Sequence, residues 1–165
     1  AQLVQELINP TLSKGQHVVT DRYISSSLAY QGYASGLPID EVLYLSLFAT
    51  KELTPDLTIL IDLPVEESIK RRGKSPDRFE QENIDFHQRV RDGYLEMAQT
   101  NNDEWVRIDG TKSQEDVAKD VELELDEEVD VVVGVVVIVD RQQDYSCSVS
   151  VESLIKKKEI VNDIP

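Results

Sequence analysis

The sequence predicts an α/β protein in which helices flank a parallel sheet. Short apolar runs that suit strands begin near Val18, Leu57 and Trp105, and they alternate with longer segments whose apolar residues recur every three or four positions. Such alternation favours parallel strands joined by right-handed helical crossovers. A valine-rich and serine-rich tail follows, and it predicts an additional ββα-like unit at the carboxyl end.

The first half of the chain supplies two of the predicted strands. Apolar residues at helical spacing over residues 3–12 predict a helix that ends at Gly15, and Val18 then begins a short buried strand. Pro38 opens a second helix. Residues 57–63 are almost wholly apolar, as is typical of a parallel strand covered on both faces.

The second half predicts the longest helix and a third strand. Residues 65–72 return as a helix, and residues 79–99 form the longest one, with Val90, Tyr94 and Met97 toward the core. Residues 105–108 form the third strand. A capping box of Ser113 and Asp116 then opens the last helix of this unit.

The tail over residues 122–165 differs in composition from the rest of the chain and forms a separate, unassigned unit. An acidic run over residues 122–130 precedes a valine-rich strand over residues 131–139. Residues 145–151 alternate apolar residues with serine, which predicts a half-exposed strand, and residues 154–164 suit a short amphipathic helix. No family is recognisable here, and a translated frameshift or a gene junction is an open explanation.

Composition narrows the function classes. A net charge of −15 argues against nucleic-acid binding, which rewards clustered Lys and Arg. The single cysteine, Cys147, excludes an intramolecular disulfide framework. The longest apolar run, residues 131–139, is well short of the roughly 17–25 residues of a membrane-spanning helix. A cytoplasmic protein without a membrane segment is predicted.

Two segments carry the chemistry. DRYISSSLAYQGY at residues 21–33 follows a predicted strand directly, so an Asp-Arg pair lies at the carboxyl end of the sheet, where open α/β sheets bind ligands. Five cations then crowd around Gly73 within residues 70–78 of an otherwise acidic chain. Together the two segments indicate a site for phosphates.

These segments resemble bacterial thymidylate kinases, and the likeness covers residues 1–121. It rests on four ordered segments: DRYISSSLAYQGY, TPDLTILIDLPVEESIKRRG at residues 54–73, DRFEQENIDFHQRVRDGYLEMA at residues 77–98 and VRIDGT at residues 106–111. The resemblance implies a P-loop kinase fold and a transferase that moves the γ-phosphoryl group of ATP to dTMP, giving dTDP on the route to dTTP. It also implies Mg²⁺ and a homodimer.

By resemblance, the segment at residues 21–33 binds the acceptor nucleotide. Arg22 contacts the dTMP phosphate, which a guanidinium grips with two parallel hydrogen bonds. The other roles that the family implies are Asp21 beside the metal and phosphates, Ser27 near the acceptor phosphate, Tyr30 near the deoxyribose and Gln31 at the thymine edge.

The donor side is implied in the same way. Arg72 and Arg78, in the basic loop, are the arginines expected to contact ATP and act in catalysis, and Glu80 matches a position near the metal. Asp109, Gly110 and Thr111 match the loop beside the adenine, although a strand-to-helix turn with glycine looks the same for structural reasons.

Structural alternatives stand beside these roles. Arg22 can pair with a neighbouring carboxylate, Ser26 and Ser27 can cap a helix, and Tyr30 can belong to the core. Lys70, Arg71 and Lys74 can form a solvated helix end, where cations also favour the helix dipole.

One family motif is missing from the 165 residues. Thymidylate kinases grip the donor phosphates with a Gly-x-x-x-x-Gly-Lys-Ser/Thr loop, and the sequence contains no such loop. The expectation is therefore an incomplete kinase fold that is inactive alone. The segment that carries this loop in the family also supplies the central strand of the sheet, so the position of that strand is expected to be empty. Residues 131–139 are expected to fill it. The alternatives are a non-catalytic remnant with weak or no nucleotide binding and, less consistent with residues 29–32, a deoxynucleoside kinase.

Overall fold

The computed structural model describes residues 1–71, 78–125 and 133–137, and for residues 78–83 and 133–137 it describes the backbone. The tail elements predicted at residues 145–151 and 154–164 lie outside the described residues. So do Arg72 and the side chains of Arg78 and Glu80.

Helices and strands alternate along the described chain, as the sequence predicts. The helices are α1 (a π-helical turn Val4–Ile8 that continues as Asn9–Leu12), α2 (Ile24–Ser27, continuing as the π-helical Leu28–Ala34), α3 (Ile39–Thr50), α4 (Val65–Arg71), α5 (Arg78–Thr100) and α6 (Gln114–Glu124). The strands are β1 (Val19–Asp21), β2 (Leu57–Asp62), β3 (Trp105–Asp109) and β4 (Val133–Val137).

The four strands form one parallel sheet in the order β1-β4-β2-β3. Thr20 of β1 and Thr58 of β2 both lie opposite Gly134 of β4, and Asp62 of β2 lies opposite Asp109 of β3. The predicted parallel sheet flanked by helices is confirmed.

The valine-rich segment occupies the interior of this sheet. β4 pairs with β1 on one side and with β2 on the other. Without it, the facing backbone groups of two strands would lack ladder partners, which is costly for buried groups. The prediction that the segment adds to the sheet is confirmed for residues 133–137, and the pairing is within the chain.

Alternating residues of β2 divide the core between the two faces of the sheet. Leu60 packs with Val90, Tyr94 and other residues of α5 and α2 on one face. On the other face, Ile59 and Ile61 pack with α6. In the described parts of the chain, no helix is both long and apolar enough to cross a membrane.

The cap predicted for α6 is present, and the Asp116 carboxylate accepts from the Ser113 hydroxyl at 2.7 Å. Ser113 precedes the helix, and its Oγ accepts a hydrogen bond from the backbone N–H of Asp116 at 3.2 Å. The helix continues to Glu124, three residues past the predicted end of the kinase-like unit at residue 121.

Helix α5 packs closely on the chain segment that follows β1. A Cβ atom added at Gly93 would lie 2.5 Å from Cγ of Tyr33, so the tyrosine ring rests directly on the helix backbone. The Tyr33 hydroxyl donates to Glu96 at 3.1 Å, and Arg89 Nε donates to the carbonyl oxygen of Ala34 at 3.0 Å. These contacts fix residues 23–34 against one helix.

This packing predicts that Gly93→Ala lowers the free energy of unfolding, by about 1–3 kcal/mol for an overpacked contact. Helix propensity alone would give the opposite sign, a gain of about 1 kcal/mol. Urea denaturation measures the difference. In a Tyr33→Ala background the clash is gone, so Gly93→Ala should be stabilising there; a stabilising effect in the parent chain would contradict the close contact.

Candidate functional site

The carboxyl edge of the sheet collects three aspartates. Asp21, Asp62 and Asp109 are the last residues of β1, β2 and β3. Because the strands are parallel, their carboxyl ends meet at one edge, which is where open α/β sheets bind ligands. The candidate site is therefore built from this edge and from the segments that follow each strand.

Arg22 follows β1 directly and has an unusual backbone. Its φ of 68° lies in the left-handed region, which costs a residue with a Cβ about 1–2 kcal/mol and is often found at functional sites. Its guanidinium carbon lies 5.0 Å from the centre of the Tyr30 ring, within range of a cation–π contact. Among the described residues, no carboxylate pairs with Arg22.

Tyr30 is half-buried between Arg22 and α5. Its ring centre lies 6.0 Å from that of Phe86, with the two planes inclined by 60°. Gln31 is exposed one residue further on, and Ser27 is half-buried at the end of the first turn of α2. The structure thus brings Arg22 and Tyr30 into contact and leaves Gln31 facing solvent.

Ser26 is held by α5. Tyr94 is almost fully buried, and its hydroxyl donates to Ser26 Oγ at 2.9 Å. Burial is the main cause that raises the pKa of Tyr94, to about 12.

A buried carboxylate joins the sheet to α5. The Asp62 side chain is 3% exposed. Arg91 Nε donates to Asp62 Oδ1 at 2.6 Å, and Arg107 Nε donates to Oδ2 at 3.1 Å. Burial alone would raise the pKa of Asp62, but the hydrogen bonds from both arginines outweigh it, so the pKa is lowered.

The loop after β3 is fixed in the same region. Its Gly110 N–H donates to the carbonyl oxygen of Asp62 at 2.9 Å. A Cβ at Gly110 would lie 2.9 Å from that oxygen, so this approach requires glycine. The Asp109 carboxylate accepts from the Thr111 hydroxyl at 2.7 Å and from its N–H at 2.9 Å, which lowers the pKa of Asp109.

Arg71, the last residue of α4, holds the outside of this loop. Its guanidinium donates to the carbonyl oxygen of Gly110 at 3.2 Å and to that of Thr111 at 3.0 Å. Arg71 is 44% exposed at the end of α4, as the interpretation of a solvated helix end implies, and it holds the loop in addition. Lys70 is 74% exposed and pairs only loosely with Glu67 at 3.6 Å, which agrees with that interpretation.

A family model described as thymidylate kinase matches residues 1–121, most of the chain. The chain belongs to the thymidylate kinase family. The match ends within α6, so β4 lies outside it.

Curated thymidylate kinases match the same part of the chain. The one from Caldanaerobacter subterraneus subsp. tengcongensis is 51% identical over 111 residues, which are 67% of this chain and 53% of that protein. The one from Sulfurihydrogenibium sp. is 47% identical over 108 residues, 66% of this chain and 53% of that protein. The chain spans about half the length of these relatives.

A solved structure gives the same fold. The crystal structure of thymidylate kinase from Ehrlichia chaffeensis aligns with a TM-score of 0.51 at 29% identity, over 73% of this chain and 54% of that one. The incomplete P-loop kinase fold predicted from the sequence agrees with this likeness.

The described part of the site offers few protein ligands for Mg²⁺. Within residues 1–71 and 78–125 there is no group of three His, Cys, Asp or Glu side chains that could hold a metal ion. Mg²⁺ at a kinase site usually takes one or two carboxylates and completes its shell with water and substrate phosphates. The exposed carboxylate of Asp21 meets that requirement.

Sequence reasoning missed the Asp62–Arg91–Arg107 cluster and the contacts of Arg71. Two signals were available for the cluster. Asp62 ends the mostly apolar strand β2, and Arg107 lies within β3. A charged side chain in a buried strand needs a partner of opposite charge. Nothing local identifies Arg71, because its acceptors are backbone carbonyls some forty residues away.

The cluster predicts a pH-dependent loss of stability in Asp62→Asn. Because folding lowers the pKa of Asp62, its contribution is present above the ordinary value near 4 and is lost as the pH falls through the lower folded value. At pH 7 the variant should lose about 2–4 kcal/mol, since Arg91, whose side chain is 18% exposed, is left without its partner. Urea denaturation at several pH values should show the loss shrinking below about pH 4.

The matched control for this prediction is Asp120→Asn. Asp120 pairs with Lys112 at 2.6 Å, but both side chains are about a third exposed or more. Removing this pair should cost less than about 1 kcal/mol. Equal losses in the two variants, or a loss in Asp62→Asn that persists at low pH, would contradict the assignment.

Proposed function

We propose that this chain carries the acceptor-binding part of a thymidylate kinase, which transfers the γ-phosphoryl group of ATP to dTMP in the cytoplasmic route to dTTP. The observation that carries the proposal is the placement of Arg22: it follows β1, it has a left-handed backbone, and it lies over Tyr30. The segment belongs to the part of the chain that matches the family.

Arg22 is suited to a phosphate dianion. A guanidinium donates two parallel hydrogen bonds to phosphate oxygens, a geometry that an ammonium group does not reproduce. The ring of Tyr30 supports the guanidinium from one side, and no carboxylate among the described residues competes for it. In this proposal Arg22 binds the dTMP phosphate and stabilises the charge that spreads over the transferred group.

The residues after Arg22 have chemistry that suits the rest of dTMP. Tyr30 presents a half-buried ring that can pack against the deoxyribose. Gln31 is exposed, and its amide both donates and accepts, as recognition of a thymine edge requires. Ser27 offers a hydroxyl near the acceptor phosphate.

The donor side is proposed around the loop Asp109, Gly110 and Thr111. Arg71 and the backbone of Asp62 fix this loop, which would then lie beside the adenine of ATP. Arg72 and Arg78, in the basic loop, are proposed to contact the ATP phosphates. When Mg²⁺ is bound it neutralises charge on the phosphate oxygens, and Asp21 and Glu80 are its proposed protein ligands.

A second candidate is a non-catalytic nucleotide-binding protein. It is favoured by one observation: β4, which lies outside the family match, takes an interior position in the sheet. The acceptor-side residues are the same in both proposals. The two proposals differ in whether the protein holds the donor phosphates in line with the acceptor. Catalysis by positioning requires that alignment.

We also propose a homodimer that packs through α3. Its exposed side carries Leu43, Tyr44, Leu45 and Phe48, and Leu37 lies just before the helix. Phe48 is 75% exposed and stacks on Tyr44 with ring centres 6.5 Å apart. A cluster of large apolar side chains on one helix is typical of a protein–protein interface. A second copy of α3 is an apolar partner of matching chemistry.

Binding of dTMP tests the main proposal. Calorimetry on the 165-residue chain should give tighter binding of dTMP than of dCMP. Arg22→Ala should lose about 10- to 100-fold in dTMP affinity, since charged hydrogen bonds contribute about 1.5–3 kcal/mol, and Arg22→Lys should lose less. Lys119→Ala, which removes an exposed cation from α6, is the control. Equal affinity for dTMP and dCMP would contradict the proposed acceptor site.

Turnover tests whether the 165 residues are sufficient for catalysis. We expect the 165-residue chain to release no ADP from ATP in a dTMP-dependent manner, because its sequence contains no Gly-x-x-x-x-Gly-Lys-Ser/Thr loop for the donor phosphates. A coupled ADP assay measures this. Turnover that depends on dTMP and disappears in Arg22→Ala would contradict the expectation.

The dimer proposal predicts that Phe48→Glu shifts the chain to a monomer. A charge on each copy of α3 would be buried against an apolar surface, which is strongly unfavourable. Sedimentation velocity gives the mass. Leu123→Glu is the matched control because Leu123 is also exposed, at 70%, but lies on α6. A parent chain that sediments as a monomer at high concentration would rule out this interface.

A further inference from the structure

Tyr94 is a buried phenol whose hydroxyl reaches the proposed acceptor site. It is 1% exposed, and it lies on α5 between Val90 and Met97, which are also buried. Its ring therefore has a fixed position. The hydroxyl donates to Ser26 Oγ at 2.9 Å across a sequence separation of 68 residues.

The hydrogen bond determines what Ser26 can do. A serine hydroxyl has one proton to donate and two lone pairs to accept with. Because Tyr94 donates its only proton to Ser26, one of those lone pairs is occupied and the serine proton must point elsewhere. Ser26 itself is half-buried.

Tyr94 stays a donor at every physiological pH. Burial raises its pKa to about 12, so the phenol keeps its proton. Tyr30 packs against the apolar cluster that contains Tyr94, and Arg22 lies over the Tyr30 ring, so the phenol lies near the residues that follow β1. The oriented hydroxyl of Ser26 is therefore close to the residues proposed to bind the acceptor.

We propose that Tyr94 is a positioning residue that turns the Ser26 hydroxyl into a hydrogen-bond donor for an oxygen of the bound acceptor nucleotide. This inference rests on the proposed function. The oxygen belongs either to the phosphate or to a base carbonyl, since both are acceptors, and the ligands compared below distinguish them. Helix α5 thereby contributes to nucleotide recognition through a residue that touches no nucleotide.

The test is calorimetric titration of dTMP into Tyr94→Phe, which removes one oxygen and keeps the packed ring. We expect about a tenfold loss of affinity, because the Ser26 proton loses its fixed direction. Circular dichroism checks that the variant is folded. Tyr33→Phe, which removes a more exposed hydroxyl from the same helix contact, is the matched control and should bind like the parent chain.

A double-mutant cycle separates positioning from a general effect on the fold. Ser26→Ala should lose at least as much affinity as Tyr94→Phe. Since Tyr94 acts only through Ser26, the double variant should lose no more than Ser26→Ala alone. Additive losses would mean that Tyr94 acts by another route and would overturn the proposal.

Thymidine identifies the oxygen. A loss in Tyr94→Phe that is confined to dTMP assigns the Ser26 donor to the phosphate, and an equal loss for thymidine assigns it to the base; both support the proposal. Unchanged dTMP affinity in Tyr94→Phe, with a parent chain that binds, overturns this proposal and leaves the proposed function standing. A parent chain that binds no dTMP overturns both.

Discussion

The backbone pairing of β4 with β1 and β2 is the constraint on which the rest of the structure depends. β4 is the only strand of the described residues that pairs with β1, so it alone ties β1 to the sheet. β1 in turn sets the position of Asp21 and Arg22 at the carboxyl edge. A segment outside the family match therefore holds the proposed acceptor residues in line with β2 and β3.

Helix α5 is the second organising element, because it contacts both the acceptor segment and the sheet. It reaches the acceptor segment through Tyr94 and Gly93, and the sheet through Arg91 on Asp62. The backbone of Asp62 then holds Gly110 of the loop after β3. One helix thus links the acceptor segment, through Asp62, to the proposed adenine loop.

Much of the fold followed from local patterns, and most of the site contacts did not. The apolar run of β2 and the long amphipathic α5 were predicted because burial imposes their periodicity. The insertion of β4 was predicted from unpaired backbone groups beside β1 and β2. The cluster on Asp62 depends on strand register and on where α5 crosses the sheet, which no local pattern specifies. The exposed side of α3 was also missed, because an apolar face has the same periodicity whether it packs on the core or faces outward.

Hydrogen exchange of the β1 amides tests the central claim most directly. Since β4 is the one strand paired with β1 in the described chain, slow exchange at Val19, Thr20 or Asp21 reports this pairing without interference from another strand. We expect at least one of these amides to be protected to a degree similar to the amides of β2. Exchange of all three at the rate of an unstructured chain, with β2 still protected, would contradict the account.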